Sequence, residues 1–159
     1  MKRGIELLAR AVVVRRGRFL TVVGTATGNL YLPGGHVEPG EGLRECLARE
    51  LREELGARAV VGRYLGSVEH AWTDADGRHF EVNHLFAARV PGLGAFPASR
   101  ERDLEFQWLS ARELSARGLE PAPVRRYLAA WPRVPRGWWA STIERSGRTA
   151  GRRSARSTR

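Results

Sequence analysis

Between Gly35 and Ala57 the chain fixes its glycines, glutamates and an arginine at set separations. Gly35 is followed by five residues and Glu41, then by seven residues and the run Arg49-Glu50-Leu51-Arg52-Glu53-Glu54-Leu55-Gly56-Ala57. Leucines at 43, 47, 51 and 55 recur every four residues, the stripe of a helix over Leu43 to Leu55, and Gly56 is the stop signal at its end. On a helix turning 100° per residue, Glu50, Glu53 and Glu54 fall within about one third of the circumference. Three like charges at those spacings repel one another, and a bound divalent cation is the usual remedy. They adjoin the leucine stripe, which puts them at the rim of the core and not on a solvated face. Hard carboxylate oxygens suit magnesium, or manganese, and Cys46 is the only cysteine, so no multi-cysteine zinc site and no internal disulfide can form.

The segments around this helix predict a mixed α/β chain. Leu7 to Val14 and Phe19 to Val23 read as a β-hairpin around Arg15-Arg16-Gly17-Arg18. A loop rich in Gly, Asn and Pro is expected from Gly24 to Gly42, holding Leu32-Pro33-Gly34-Gly35, where adjacent glycines permit close backbone approach. Further strands are expected at Ala59 to Val68, Arg78 to Val90 and Leu104 to Leu109. Ser110 and Glu113 form a capping box for a short helix, and Pro121 with Val124, Tyr127, Leu128 and Trp131 marks another.

The Gly35 to Ala57 pattern resembles the box of the Nudix hydrolases, the MutT-like family. Seven fixed positions match, a coincidence expected less than about once in a million start sites; Ala57 is small where the family carries a bulkier aliphatic. The resemblance implies an α/β fold, the Nudix α/β/α sandwich with a mixed β-sheet and a catalytic loop-helix. It implies hydrolysis of a phosphoanhydride in a nucleoside diphosphate linked to another group, the substrate being a nucleoside triphosphate, ADP-ribose or a nucleotide sugar. Glu50 and Glu54 are the implied metal ligands, with Glu53 as a third ligand or the proton acceptor. Arg49 would orient these carboxylates, Glu41 would act through water or a neighbouring ligand, and the backbone at Gly34 and Gly35 would bind substrate. Some members take the general base from a later loop, for which Glu101 and Glu105 are the candidates. Dimers are common in the family, so a homodimer is compatible with the resemblance.

Rival readings use the same residues differently. A nucleotide-sensing module would have lost catalysis, and the intact glutamates speak against that. Isopentenyl-diphosphate isomerisation needs a catalytic cysteine on another motif, which Cys46 within the box helix does not match. Processing of capped RNA would use the C-terminal segment. That segment, 144–159, holds six arginines against Glu144 and supplies half of the chain's net charge of +10. It has almost nothing to bury, so a disordered Arg-rich tail is expected beyond a single domain over residues 1–143. A solvated extension is favoured over a nucleic-acid arm, because no aromatic residues are interleaved for base stacking. His36 reads as phosphate contact or loop surface, His84 as an interior histidine, and Trp72 and Phe80 as packing residues. Trp138 and Trp139 read as a packed end of the fold. The absence of a signal-like apolar run or membrane span leads to an expected cytoplasmic location.

Overall fold

The computed structural model describes residues 4–143. The expected tail lies outside them. Strands β1 (Ile5–Arg15) and β2 (Arg18–Gly24) form the predicted hairpin, with Arg15 opposite Arg18 and Val14 opposite Phe19. The segment expected to be a plain loop contains two short strands, β3 (Leu30–Tyr31) and β4 (Gly34–His36). The glycines of β4 hid that strand, since they lack the side chains by which strands are read. Helix α1 (Leu43–Leu55) has the predicted bounds and ends on Gly56 in the left-handed conformation, φ 66°.

Strand β5 (Val60–Asp74) runs well past the expected Val68 and turns back into β6 (Gly77–Arg89). Glu69 to Asp74 mix polar with aromatic and small residues on a ribbon that is partly exposed, and the ladder continues through them to Asp74 opposite Gly77. Strand β7 (Leu104–Leu109) pairs with β2, and α2 (Ala111–Ala116) begins with the predicted capping box at Ser110. Helix α3 (Ala122–Ala129) and β8 (Trp138–Ser141) complete the chain.

The strands make one mixed sheet in which β1 is parallel to β6 and antiparallel to β4, and β5 is antiparallel to β6 and parallel to β8. Because side chains alternate along a strand, β1 feeds two cores. Ala9, Ala11 and Val13 meet Cys46, Leu47 and Leu51 of α1, whereas Val12 joins Leu85, Leu114, Val124 and Leu128 on the side of α2 and α3. The result is an α/β/α sandwich. Trp138 stacks on Tyr127 with ring centroids 4.5 Å apart, as a packed end requires, while Trp139 on the same strand is exposed. No helix among the described residues is long and apolar enough to cross a membrane.

Candidate active site

Helix α1 lies across the sheet so that its carboxylates face β4. Gly35 is the point of closest approach: a Cβ built there would fall 2.4 Å from Glu50 Cδ. Gly34, at φ 128°, presses on β1, where a Cβ would fall 2.0 Å from the Ala9 carbonyl oxygen. Glycine is therefore a steric requirement at Gly34, where backbone blocks a Cβ, whereas at Gly35 a Cβ would displace the Glu50 carboxylate. Cys46 sits beneath them, fully buried, with its thiol donating to the His36 carbonyl oxygen at 3.4 Å. Burial pushes its pKa up to about 11.

Arg49 organises the carboxylates. Its guanidinium donates to Glu41 Oε1 and Oε2 at 2.8 and 2.9 Å, to Glu50 Oε1 at 2.8 Å and to Glu53 Oε2 at 3.1 Å, and it also reaches the His36 carbonyl at 3.1 Å. Glu41 is held down to a pKa of about 2, chiefly by the Arg49 hydrogen bonds. The three glutamates of the helix face do not converge as the spacing suggested. Glu53 leans outward on Arg49, Glu50 lies against Gly35, and Glu54 is buried toward β4. Among the described residues, no three His, Cys, Asp or Glu side chains surround one point as a ready cation cage. Arg49 holds Glu50 and Glu53 by hydrogen bonds, and Glu54 lies outside that network.

Glu54 stands apart. Only 4% exposed, it carries the one buried side-chain oxygen or nitrogen, Oε2, that lacks a hydrogen-bond partner among the described residues. Burial first, and the Glu50 charge second, push its pKa up to about 8, against the opposing pull of Arg10 and the Gly34 N–H. An orphaned carboxylate oxygen beside a second carboxylate is a costly arrangement that a divalent cation satisfies. The donor set of Glu50 and Glu54, all hard oxygen, fits such an ion.

Sequence reasoning missed Arg10. From β1 it donates to the carbonyls of Leu32 at 3.2 Å and Gly34 at 2.8 Å, and to Asn83 Oδ1 at 3.2 Å, while Asn83 donates to Glu81 at 2.7 Å. Burial lowers its pKa, and the charges of Glu81, Glu54 and Glu50 raise it. Arg10 belongs to the floor of a cleft of about 540 Å³ between the sheet and the start of α3, together with Tyr31, His36, Trp72, Asn83 and Glu120. The signal was a lone arginine on the alternating β1, on the face opposite Ala9 and Ala11.

The remaining candidates separate cleanly. The backbone of Arg100 donates to the Glu54 carbonyl at 2.8 Å, which brings the following loop to the end of α1, and Glu101 contributes to raising the Glu54 pKa. Glu105 points elsewhere, lining a different cavity on β7. His36 lies on β4 in the cleft, paired with Glu6 at 2.8 Å. His84 is partly buried, hydrogen-bonded to the Tyr64 hydroxyl at 3.1 Å. Trp72 stacks on His79, with ring centroids 4.0 Å apart, and also borders the cleft. Phe80 packs under the Arg78 guanidinium.

An α/β/α sandwich whose glycine strand packs against a helix carrying Glu50, Glu53 and Glu54 is the arrangement of a class of small phosphoanhydride hydrolases. The chain belongs to the Nudix family, whose NUDIX domain profile matches residues 6–131. The CTP pyrophosphohydrolase of Escherichia coli (strain K12) is 37% identical over 125 residues, covering 76% of this chain and 86% of that protein. The crystal structure of a MutT protein from Methanosarcina mazei Go1 superposes with a TM-score of 0.65 at 25% identity, covering 84% of this chain and 96% of that one. An isopentenyl-diphosphate Delta-isomerase of Cereibacter sphaeroides (strain ATCC 17025 / ATH 2.4.3) is 29% identical over 141 residues, covering 84% of this chain and 78% of that protein. This protein is a MutT-like Nudix hydrolase of pyrophosphate bonds, a family that uses divalent cations. The isomerase likeness follows the shared fold: the sole cysteine is buried under Gly35, with its pKa raised and its thiol donated to backbone.

Proposed function

We propose that the chain hydrolyses a nucleoside triphosphate, of the cytidine type in the first instance, to the monophosphate and pyrophosphate, with magnesium or manganese as cofactor. The likeness to a CTP pyrophosphohydrolase favours this substrate over ADP-ribose or a nucleotide sugar. The observation that carries the reaction is the buried, unpartnered Glu54 Oε2 beside Glu50. Glu50 and Glu54 would hold the cation, with Glu53 either a third ligand or the proton acceptor, and when bound the cation would neutralise phosphate oxygens and acidify a water.

The protein's own groups do the rest. Gly34 and Gly35 let β4 lie directly against β1 and the Glu50 carboxylate, because neither carries a Cβ, and their backbone is assigned to the diphosphate on the resemblance to the family's box. Arg49 and Glu41 fix the Glu50 rotamer, and Arg10 fixes the Leu32 to Gly34 segment from below. Proton acceptance from the attacking water falls to Glu53, which is exposed, or to Glu101, whose loop is tied to the end of α1. Glu105 is the weaker candidate on position. A single domain over residues 1–143 and a cytoplasmic location remain part of this reading, and a homodimer is compatible with it.

The test is turnover of CTP, other nucleoside triphosphates, ADP-ribose and nucleotide sugars, with magnesium, with manganese, with chelator and in Glu54→Gln. Metal-dependent release of pyrophosphate from CTP, lost in Glu54→Gln, is expected. Tight nucleotide binding with no turnover anywhere in the panel would replace the enzyme by a nucleotide sensor.

A further inference from the structure

A second cavity, of about 670 Å³, shares no lining residue with the cleft. Arg15, Arg16 and Arg18 of the β1–β2 hairpin border it, with Phe96, Trp108 and Glu105. The hairpin closes through Arg16 at φ 50° and Gly17 at φ 73°, a turn that holds Arg15 and Arg18 directly opposite each other. Like charges facing across a strand pair destabilise it. Arg18 is relieved by Glu113 at 2.8 Å, whereas Arg15 and Arg16 have no carboxylate within ion-pair distance among the described residues. Phe96 is 96% exposed, on a loop pinned by the Trp108 indole N–H donating to the Gly94 carbonyl at 3.0 Å. An aromatic ring held wholly in water next to unneutralised guanidiniums matches a ligand that is flat at one end and anionic at the other.

We propose that this cavity is a second, non-catalytic site for a nucleoside phosphate, with the base against Phe96 and Trp108 and phosphate on Arg15 and Arg16. The ligand is either a free nucleotide or one unit of an unpaired nucleic-acid strand, since both present the same base and phosphate. The site is independent of the reaction assigned above.

The experiment compares the full chain with Arg15→Ser/Arg16→Ser and with Phe96→Ala, measuring equilibrium dialysis of cytidine monophosphate and fluorescence anisotropy of a labelled single-stranded hexathymidylate. All three proteins keep the segment 144–159, so binding there is common to all. The double variant should lose one bound monophosphate per chain, or bind the oligonucleotide at least about tenfold more weakly with a salt slope reduced by about 1.4 for two lost phosphate contacts. Phe96→Ala should weaken the same ligand by about tenfold, as expected for one stacked base. Loss confined to the monophosphate identifies a nucleotide site, and weakening of the oligonucleotide identifies a strand site. Unchanged binding of both ligands in the double variant overturns the proposal, and so does a Phe96→Ala variant that binds as the wild type does. Phe96 is exposed, and Arg15 and Arg16 lie at the end of β1 and in the turn after it, away from the core, so near-UV circular dichroism should be essentially unaltered in both variants.

Discussion

The Glu50 carboxylate lies flush against the backbone of Gly35, with 2.4 Å between its Cδ and the place a Cβ would occupy. With Glu50 in this rotamer, no side chain fits at Gly35. In Gly35→Ala the added methyl must push Glu50 aside or lift β4 from α1. Displacing a positioned group by about 1 Å costs on the order of 100-fold in rate. We therefore expect kcat to fall by about that factor while the far-UV circular dichroism stays native. Retention of more than half the wild-type kcat would show that Glu50 is not placed by this contact.

Arg49 binds Glu41 through two nitrogens and reaches both Glu50 and Glu53. A lysine keeps the charge but has no planar fork with which to hold three carboxylates. Arg49→Lys should weaken metal-dependent activity by about 10- to 100-fold, the range found when groups that orient metal ligands are removed. The apparent metal constant, obtained by titrating activity with magnesium, should rise more than KM for nucleotide. Equal changes in both would mean that Arg49 acts on substrate and not on the carboxylates.

Glu54 ties stability to pH. Its pKa in the folded protein is raised to about 8 from an ordinary 4.5, so its contribution to stability is complete below pH 4.5 and is lost as pH rises through 8. The metal-free protein should accordingly lose Tm between pH 5 and 8 relative to Glu54→Gln, which has no proton to release. Added divalent cation should narrow that gap most at the alkaline end, where the ionised form binds it. Thermal melts of both proteins at pH 5, 6.5 and 8, with chelator and with magnesium, check this. A Tm difference independent of pH would refute the assignment of Glu54 as the buried, reluctant acid.

How much of this was legible beforehand depends on what each residue's signal contains. The bounds of α1 could be read because leucine periodicity and a glycine stop state them directly. The capping box at Ser110 is equally local. Strand β4 could not be read, because its glycines carry no alternation; its existence is a pairing with β1, and pairing is non-local. Helical spacing placed Glu50, Glu53 and Glu54 on one face, but spacing is silent on rotamers, and Arg49 draws Glu53 away from Glu54. Arg10 was invisible for a similar reason: its partners at Leu32, Gly34 and Asn83 are distant in the chain.

Arg10 makes the sharpest test of how the floor of the cleft is built. One guanidinium nitrogen serves the carbonyls of Leu32 and Gly34, another serves Asn83, and its charge lowers the Glu54 pKa. Methionine fills much of the same volume and makes none of these bonds, leaving carbonyls and an amide without their donor. Hydrogen bonds to a charged group contribute about 2 kcal/mol, so Arg10→Met should lower the denaturation free energy by at least that amount. Loss of the positive charge should also raise the Glu54 pKa further, so the decline of Tm in metal-free protein should continue to a higher pH. Lysine reaches fewer acceptors, so Arg10→Lys should restore the pH at which Tm declines but only part of the stability. Urea unfolding and pH-dependent melts separate the two effects. If Arg10→Lys matches the wild type in both, charge alone suffices and the forked contact with Leu32, Gly34 and Asn83 does not shape the site.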